Sequence, residues 1–459
     1  MLKEERESQI GPPQSRRTVL EQSDVMALKA SLRGKLLQPD DESYDAARRG
    51  YNAMVDKHPS LIVLCAGVSD VINAVNFARS HNLLTTVRGG GHSVAGKSTC
   101  DGGVVIDLSS MKGIRVDPVS RTARAEPGVT WNEFDRETQA FGLATTGGTI
   151  STTGIAGLTL GGGLGWLMRK HGLACDNLIS IDIVLADGRF LTASSTENAD
   201  LFWGIRGAGA NFGVVTSFEY RLHAVDSILG GMLIYPLAAA REVLQFYRDF
   251  TADAPEELTA FAVLMTLPDG QPVVAILTCY NGPTEIGEKV LQPLRTFGSP
   301  LVDQITSMTY LQLQTMLDAG FPSGLQNYWK TNFLKVLSDD AIESLVTYFT
   351  SVPSALTALL IEQLGGAVER IGQNETAFSP RDQRFNVSIM SRWTEPAESE
   401  KHIRWTREFW HVMRPFATDA VYLNYLAEDE GERVKALYGA TKYEQLIGLK
   451  NKYDPTNFF

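Results

Sequence analysis

The sequence predicts an α+β or α/β layered protein built from two or three globular units, and three observations carry that reading. The chain has 459 residues, enough for two or three domains at about 150 residues each. From about residue 60, short β-branched runs alternate with amphipathic segments, a pattern of mixed layers rather than of a sandwich. Glycine is dense before residue 225 and sparse after it, where longer helical patterns take over, so a second domain is expected to begin near 225.

From Met1 to Asp24 the chain is polar, with no apolar run, so neither a secretory signal nor a span of about 20 residues can be drawn there. Residues 61–65 read as a strand. Ser69 is placed to cap a helix whose apolar stripe is Val71, Ile72, Val75 and Ala78. Strands at 84–87 and 104–108 flank 88–103, whose six glycines make it a loop rather than a helix. A helix is expected over 131–141. Residues 142–165 hold nine glycines but also Leu143, Ile150, Ile155, Leu158, Leu160 and Leu164, too apolar for a linker, so the stretch is expected to be packed. Asp187-Gly188 suits a tight turn between strands at 179–186 and 189–193. A further strand is expected at 214–222, and helices near 238–250, 339–349 and 399–412.

Charge and cysteine content narrow the function. With 42 Lys and Arg against 53 Asp and Glu, the formal charge of -11 disfavours nucleic acid and anionic membrane, both of which need a positive surface. Cys65, Cys100, Cys175 and Cys279 show no paired spacing, so neither a disulfide framework nor a metal site is expected. A small-molecule substrate, a cytoplasmic setting and a monomer or homodimer are the resulting expectations.

Two glycine-rich loops on either side of a helix expose backbone N–H groups that could hold a pyrophosphate without any lysine. Gly161-Gly162-Gly163-Leu164-Gly165 fails the dinucleotide fingerprint at its third glycine, and no acidic residue ends a second strand about 20 residues on, so a nicotinamide-type domain is not expected. In the first loop His92 follows Gly89-Gly90-Gly91, one of seven histidines in the chain. Three residues without side chains would let a planar ligand approach the imidazole closely.

With these motifs in order, the chain resembles the berberine bridge enzyme-like group of the vanillyl-alcohol oxidase/p-cresol methylhydroxylase flavoproteins, its bacterial members most of all. The likeness runs through 59–62, 87–96, 101–108, 154–178, with Arg169-Lys170-His171-Gly172-Leu173, and 201–216. It ends in Lys452-Tyr453-Asp454-Pro455-Thr456-Asn457-Phe458. It implies an α+β, two-domain PCMH-type FAD-binding fold whose substrate domain is an antiparallel sheet covered by helices. The FAD domain would span 1–225, with its core at about 56–224, the substrate domain 226–415, and residues 416–459 would return to the FAD domain. Relatives usually continue past the terminal motif with a short Arg- and Asn-rich tail, whereas this sequence stops at Phe459, so either it is trimmed there or the ligand contacts differ.

The resemblance further implies covalent FAD, attached at its 8α carbon through His92. Many relatives add a cysteine link, and Ile150 occupies that position here, so a single attachment is implied. The matched cofactor-binding residues are Arg88, Gly89, Gly90, Gly91, His92, Ser93, Gly96, Pro127, Gly128, Gly147, Gly148, Thr149, Thr153, Gly154, Gly157, Gly161, Gly213, Val214 and Val215. Thr153 falls beside the flavin edge where dioxygen reacts, and its small side chain favours an oxidase. Alternation sets Glu362 on the face opposite Gln363, making it a candidate general base, with Tyr422 and Tyr425 next. Tyr328, Lys330, Gln363 and Asn424 are the candidate substrate-pocket residues. The expected function is an FAD-linked oxidase of bacterial secondary metabolism, using dioxygen on an alcohol, amine or polyketide-like molecule. A dehydrogenase or cyclase of the same fold and a non-catalytic flavin-binding protein remain alternatives.

Overall fold

The computed structural model describes residues 20–427, 429 and 433–459. Residues 1–19, most of the polar stretch read above, lie outside them. One half of the molecule carries two larger sheets. In the first, Lys35–Leu37, Leu61–Leu64, Val104–Asp107 and Thr85–Arg88 lie side by side in that order, and both neighbours of Val104–Asp107 run parallel to it. The helix Val68–Ser80 makes the crossover and buries Val71, Ala74, Val75 and Ala78 against this sheet. It starts after Gly67, two residues earlier than a Ser69 cap requires. Asp70, in its first turn, instead accepts from the backbone amides of Arg33, Gly34 and Ala66, a placement that also suits the positive end of the helix dipole.

The second sheet is antiparallel throughout, in the order Ile114–Asp117, Thr122–Ala125, Gly213–Arg221, Leu178–Leu185 and Phe190–Ser194. Its Asp187-Gly188 turn uses Gly188 at φ +82°. The helix Trp131–Gln139 starts with a reciprocal capping box between Thr130 and Glu133, which satisfies two otherwise orphaned N–H groups. After it, the glycine-rich stretch is packed: it holds the short helix Ile155–Leu160 and buries Leu143, Ile155, Leu160 and Leu164.

The other half is one large antiparallel sheet. Its order is Val302–Asp303, Ile228–Pro236, Pro272–Tyr280, Leu258–Thr266, Ala358–Gln363, Phe385–Trp393 and Gln326–Leu334, with Thr306–Met308 also paired to Ile228–Pro236. Helices Ala240–Ala252, Asp339–Phe349 and Ser399–Met413 cover one face, where Tyr247, Leu345 and Phe409 meet Leu359, Ile361 and Val387. The opposite face carries Phe261, Val263, Trp329, Leu360 and Met390 and shares a core with Trp166, Met168 and Tyr422. Gln326–Leu334 and Phe385–Trp393 are buried at every residue. A strand covered on both sides need not alternate apolar with polar residues.

The chain then returns to the first half. In the helical stretch Val434–Tyr453, kinked at Gly439, the side chains of Leu437, Tyr438, Leu449 and Tyr453 join the core of Trp131, Phe202, Trp203 and Phe212. No described helix is long and apolar enough to cross a membrane. The shared core makes a direct prediction. Leu449→Ala should destabilise the protein by about 2–5 kcal/mol, read as a lower urea midpoint, and an unchanged midpoint would mean that this helix does not complete the core.

Candidate active site

A cavity of about 1070 Å³ opens between the glycine-rich loops and the inner face of the large sheet. That lies just above the roughly 300–1,000 Å³ usual for small-molecule sites, so a large cofactor and a substrate could share it. The loop walls are close-fitted. A Cβ built on Gly90 would lie 2.5 Å from Gly154 Cα, and one on Gly89 would lie 2.9 Å from the Pro127 carbonyl oxygen. Two backbones therefore touch with no side chain between them. Gly157 is the opposite case: a Cβ there meets no atom within 4 Å, and the residue lines the cavity.

His92 stands on this wall. Its ring stacks on Tyr51 with centroids 3.9 Å apart, and its Nε2 has no hydrogen-bond partner. Burial pushes the imidazole down to about 4, so at neutral pH it is uncharged and keeps a free lone pair. The neighbouring segment clips the loop to the sheet. Asn52 Nδ2 donates to the carbonyls of Val94, at 2.7 Å, and Asn327, at 2.9 Å, while its Oδ1 accepts from the Asn327 amide.

The facing wall is the sheet. Trp329 lies edge-on to Tyr51 at 6.3 Å and to Tyr425 at 5.8 Å, and Tyr425 lines the cavity. Behind Tyr425 is Glu362, fully buried, whose Oε2 accepts from Asn386 Nδ2 at 2.6 Å, and Asn386 Oδ1 in turn accepts from Thr331 at 2.5 Å. Glu362 Oε1 has no well-formed hydrogen bond, and the Tyr425 phenol is the polar group beside it. Burial pushes this carboxyl up to about 7. Tyr422 is differently committed: its oxygen accepts from the amides of Gly163 and Leu164 and from Asn424 Nδ2. Burial raises both phenols.

The structure brings many of the sequence-selected residues to the cavity and leaves others away from it. Gly89, Gly90, Gly91, His92, Ser93, Gly148, Thr149, Thr153, Gly154, Gly157, Tyr422, Asn424 and Tyr425 line it, as does Ile150. Other expected residues stand off the cavity wall. The Arg88 guanidinium turns away, donating to the carbonyls of Ala47 and Arg48 beside Asp107. Pro127 supports Gly89 from behind. Gly96, Gly128, Gly147, Gly161 and Gly213 are packing glycines, pressed against Val55, the Leu108 carbonyl, Trp131, Asn424 and the Val184 carbonyl. Val214 and Val215 lie in sheet core.

On the large sheet, alternation decides. Tyr328 and Lys330 face the helices, where both reach Asp429 and Arg407 donates to the Tyr328 hydroxyl. Gln363 likewise donates to the Thr251 carbonyl. Glu362 is on the cavity side, but it meets the cavity through Tyr425 rather than lining it. Trp329, one residue from each rejected neighbour, is the lining residue of that strand, and the same period-2 rule could have selected it. Tyr51 and Asn52 carry no sequence signal, because their role depends on a distant strand. All four cysteines are buried and none lines the cavity. Among the described residues no group of His, Cys, Asp and Glu could hold a metal ion.

Comparison with known proteins identifies the family. Residues 59–194 match the family described as FAD binding domain, and residues 421–459 the one described as berberine and berberine like. The chain is 35% identical to an FAD-linked oxidoreductase of Dictyostelium discoideum over 94% of each sequence. The solved structure of 6-hydroxy-D-nicotine oxidase from Arthrobacter nicotinovorans superposes with a TM-score of 0.86 at 29% identity, covering 94% of this chain and 97% of that one. A chitooligosaccharide oxidase superposes at 0.83 with 26% identity, covering 95% and 97%.

The residues present fit FAD: the Gly90–Gly154 contact leaves a smooth wall, Gly157 leaves open room, and His92 offers a neutral ring nitrogen. The loop contact can be tested. Gly90→Ala should force the two backbones apart and sharply lower the flavin absorbance per chain of purified protein. Gly448→Ala, on an exposed helical position with open space, should leave it unchanged. Equal flavin content in the two variants would show that the contact does not shape the cofactor wall.

Proposed function

This chain belongs to the berberine bridge enzyme-like FAD-linked oxidoreductases, and on that premise we propose that it is an oxidase for a small or medium secondary metabolite. It would take hydride from a C–H next to oxygen or nitrogen and use dioxygen as the final acceptor. The observation that carries this reading is the Tyr425–Glu362 pair on the wall facing the glycine loops. When bound, the flavin supplies the two-electron acceptor. The chain supplies attachment, orientation and proton management.

His92 is the proposed point of covalent attachment, supported by its neutral imidazole and its position in the loop wall. Tyr51 stacking and the Asn52 clip hold that ring in one orientation, which lowers the entropy cost of keeping a cofactor in register. A C–H next to O–H or N–H releases hydride readily only when the heteroatom loses its proton. Tyr425, at the cavity surface, is placed to take that proton as it hands its own phenolic proton to the Glu362 carboxylate behind it. Burial brings Glu362 to about 7, close to the working pH, where a base combines availability with strength. Tyr422, held by two amide donors, acts as a fixed strut and not as a base. Thr153, a small side chain on the wall, leaves room in which dioxygen could approach. Relatives named as oxidases support the same acceptor.

Attachment has a clear readout. After acid precipitation, yellow colour and a flavin mass adduct should remain with the wild-type chain, whereas His92→Ala should give folded protein whose flavin is released. An adduct persisting in that variant would place the link elsewhere.

The proton path has a pH signature. Because the base works unprotonated, anaerobic flavin reduction by substrate should quicken as pH rises through about 7 and level off above it. Glu362→Gln should slow reduction by about 10²- to 10⁴-fold and flatten the profile. Wild-type rates in the Gln variant would remove Glu362 from the path, and a reduced enzyme that ignores dioxygen would make the protein a dehydrogenase.

A further inference from the structure

Arg392 lines the cavity yet is only 5% exposed. It sits on the inner face of Phe385–Trp393, in line with Asn386, Ser388 and Met390, two residues beyond Met390. One Nη donates to the Gly320 carbonyl, and the guanidinium lies over the Phe321 ring at 4.1 Å, with the Tyr51 phenol beside it. Its Nε has no partner. Among the described residues, no aspartate or glutamate pairs with it.

Other buried arginines in this protein are differently provided for. Arg381 holds Asp176 through two contacts of 2.6 and 3.0 Å, Arg88 has Asp107, and Arg169 spends its donors on the carbonyls of Leu258, Leu364 and Ala254. A guanidinium stays charged in any environment proteins offer, and leaving it desolvated without a counter-charge is expensive. At Arg392 that charge faces the cavity, whose wall includes Phe321, Leu356, Trp329 and Met390. What the site lacks is an oxyanion attached to an apolar body.

We infer that Arg392 recognises an acidic group, a carboxylate or similar oxyanion, carried by the substrate at the end remote from its reacting carbon. The inference rests on the oxidase reading and adds a substrate class to it. Trp329 stands between Tyr425, on the proton path, and Tyr51, beside Arg392, at 5.8 and 6.3 Å. Asn386, the partner of Glu362, and Arg392 are six positions apart on one strand, about 20 Å at ~3.3 Å per residue. The acid would therefore lie on the far side of Trp329 from the C–H that reacts, at a separation bounded by that span. Such charge-assisted contacts confer direction as well as affinity, so Arg392 would fix which carbon reaches the Tyr425 end.

The test uses flavin-loaded protein and a series of ω-phenylalkanoates of two to six chain carbons, each paired with its neutral amide. Binding is read as perturbation of the flavin absorbance spectrum. In wild type at least one carboxylate should bind about tenfold or more tightly than its amide, as expected of a hydrogen bond to a charged group. Arg392→Gln should abolish that preference with amide affinity and flavin content retained, and Arg392→Lys should restore part of it. The inference is overturned if no carboxylate is preferred, if the preference survives in Arg392→Gln, or if carboxylate and amide weaken together, which would mean a purely structural role. Loss of flavin in Arg392→Gln would assign the guanidinium to a cofactor phosphate instead. Wild-type protein lacking flavin altogether would defeat the oxidase reading itself, a separate failure.

Discussion

Everything at this site depends on a backbone contact between two glycines. Gly90 and Gly154 come from loops on different sheets, and they meet so closely that a single methyl group on either would fall within 2.7 Å of the other chain segment. Nearby, Gly154 also forms a bridge to Thr130, the residue that caps Trp131–Gln139. The loops are thus braced against one another by main chain alone. A wall of main chain is flat, rich in N–H groups and unable to change rotamer, which is what a planar, phosphate-bearing cofactor needs from its protein.

The second half supplies what such a wall lacks. Its sheet is buried on both faces, so any polar side chain it carries must find partners inside or face the cavity. Thr331, Asn386 and Glu362 form a hydrogen-bonded row under Tyr425. Arg392 lies at the other end of the same face with one donor unused. Polarity in an otherwise apolar surface is thereby concentrated at two points, separated by Trp329. The low dielectric that makes each group expensive to bury also strengthens its interactions with anything placed between them.

The fold was largely legible in the sequence because its signals are local. The 3.6 periodicity around Val71 and Ala78, the Asp187-Gly188 turn and the helices starting at Asp339 and Ser399 report short-range geometry, and the boundaries shift by only a few residues. The glycine loops and His92 were also legible, since a run of glycines before a histidine is unusual for any structural purpose. Glycines pressed against Trp131 or the Val184 carbonyl read the same as those on the cavity, because sequence does not show what a missing side chain makes room for. Which face of Gln326–Leu334 meets the cavity is not legible in the sequence, for a different reason. With both faces buried, Tyr328 and Trp329 are equally hydrophobic choices, and only the position of Ser399–Met413 decides between them. Tyr51, Asn52 and Arg392 act through partners distant in sequence and leave no local mark.

The most direct test of the shared cavity is a diffraction structure of the protein with its flavin. Electron density should run without a break from a ring nitrogen of His92 into the isoalloxazine, with the Gly154 loop on one side of the ring and Trp329 and Tyr425 on the other. A flavin bound away from the Gly90–Gly154 contact, or one whose ring lies out of reach of His92 and Tyr425, would contradict the arrangement derived from these residues.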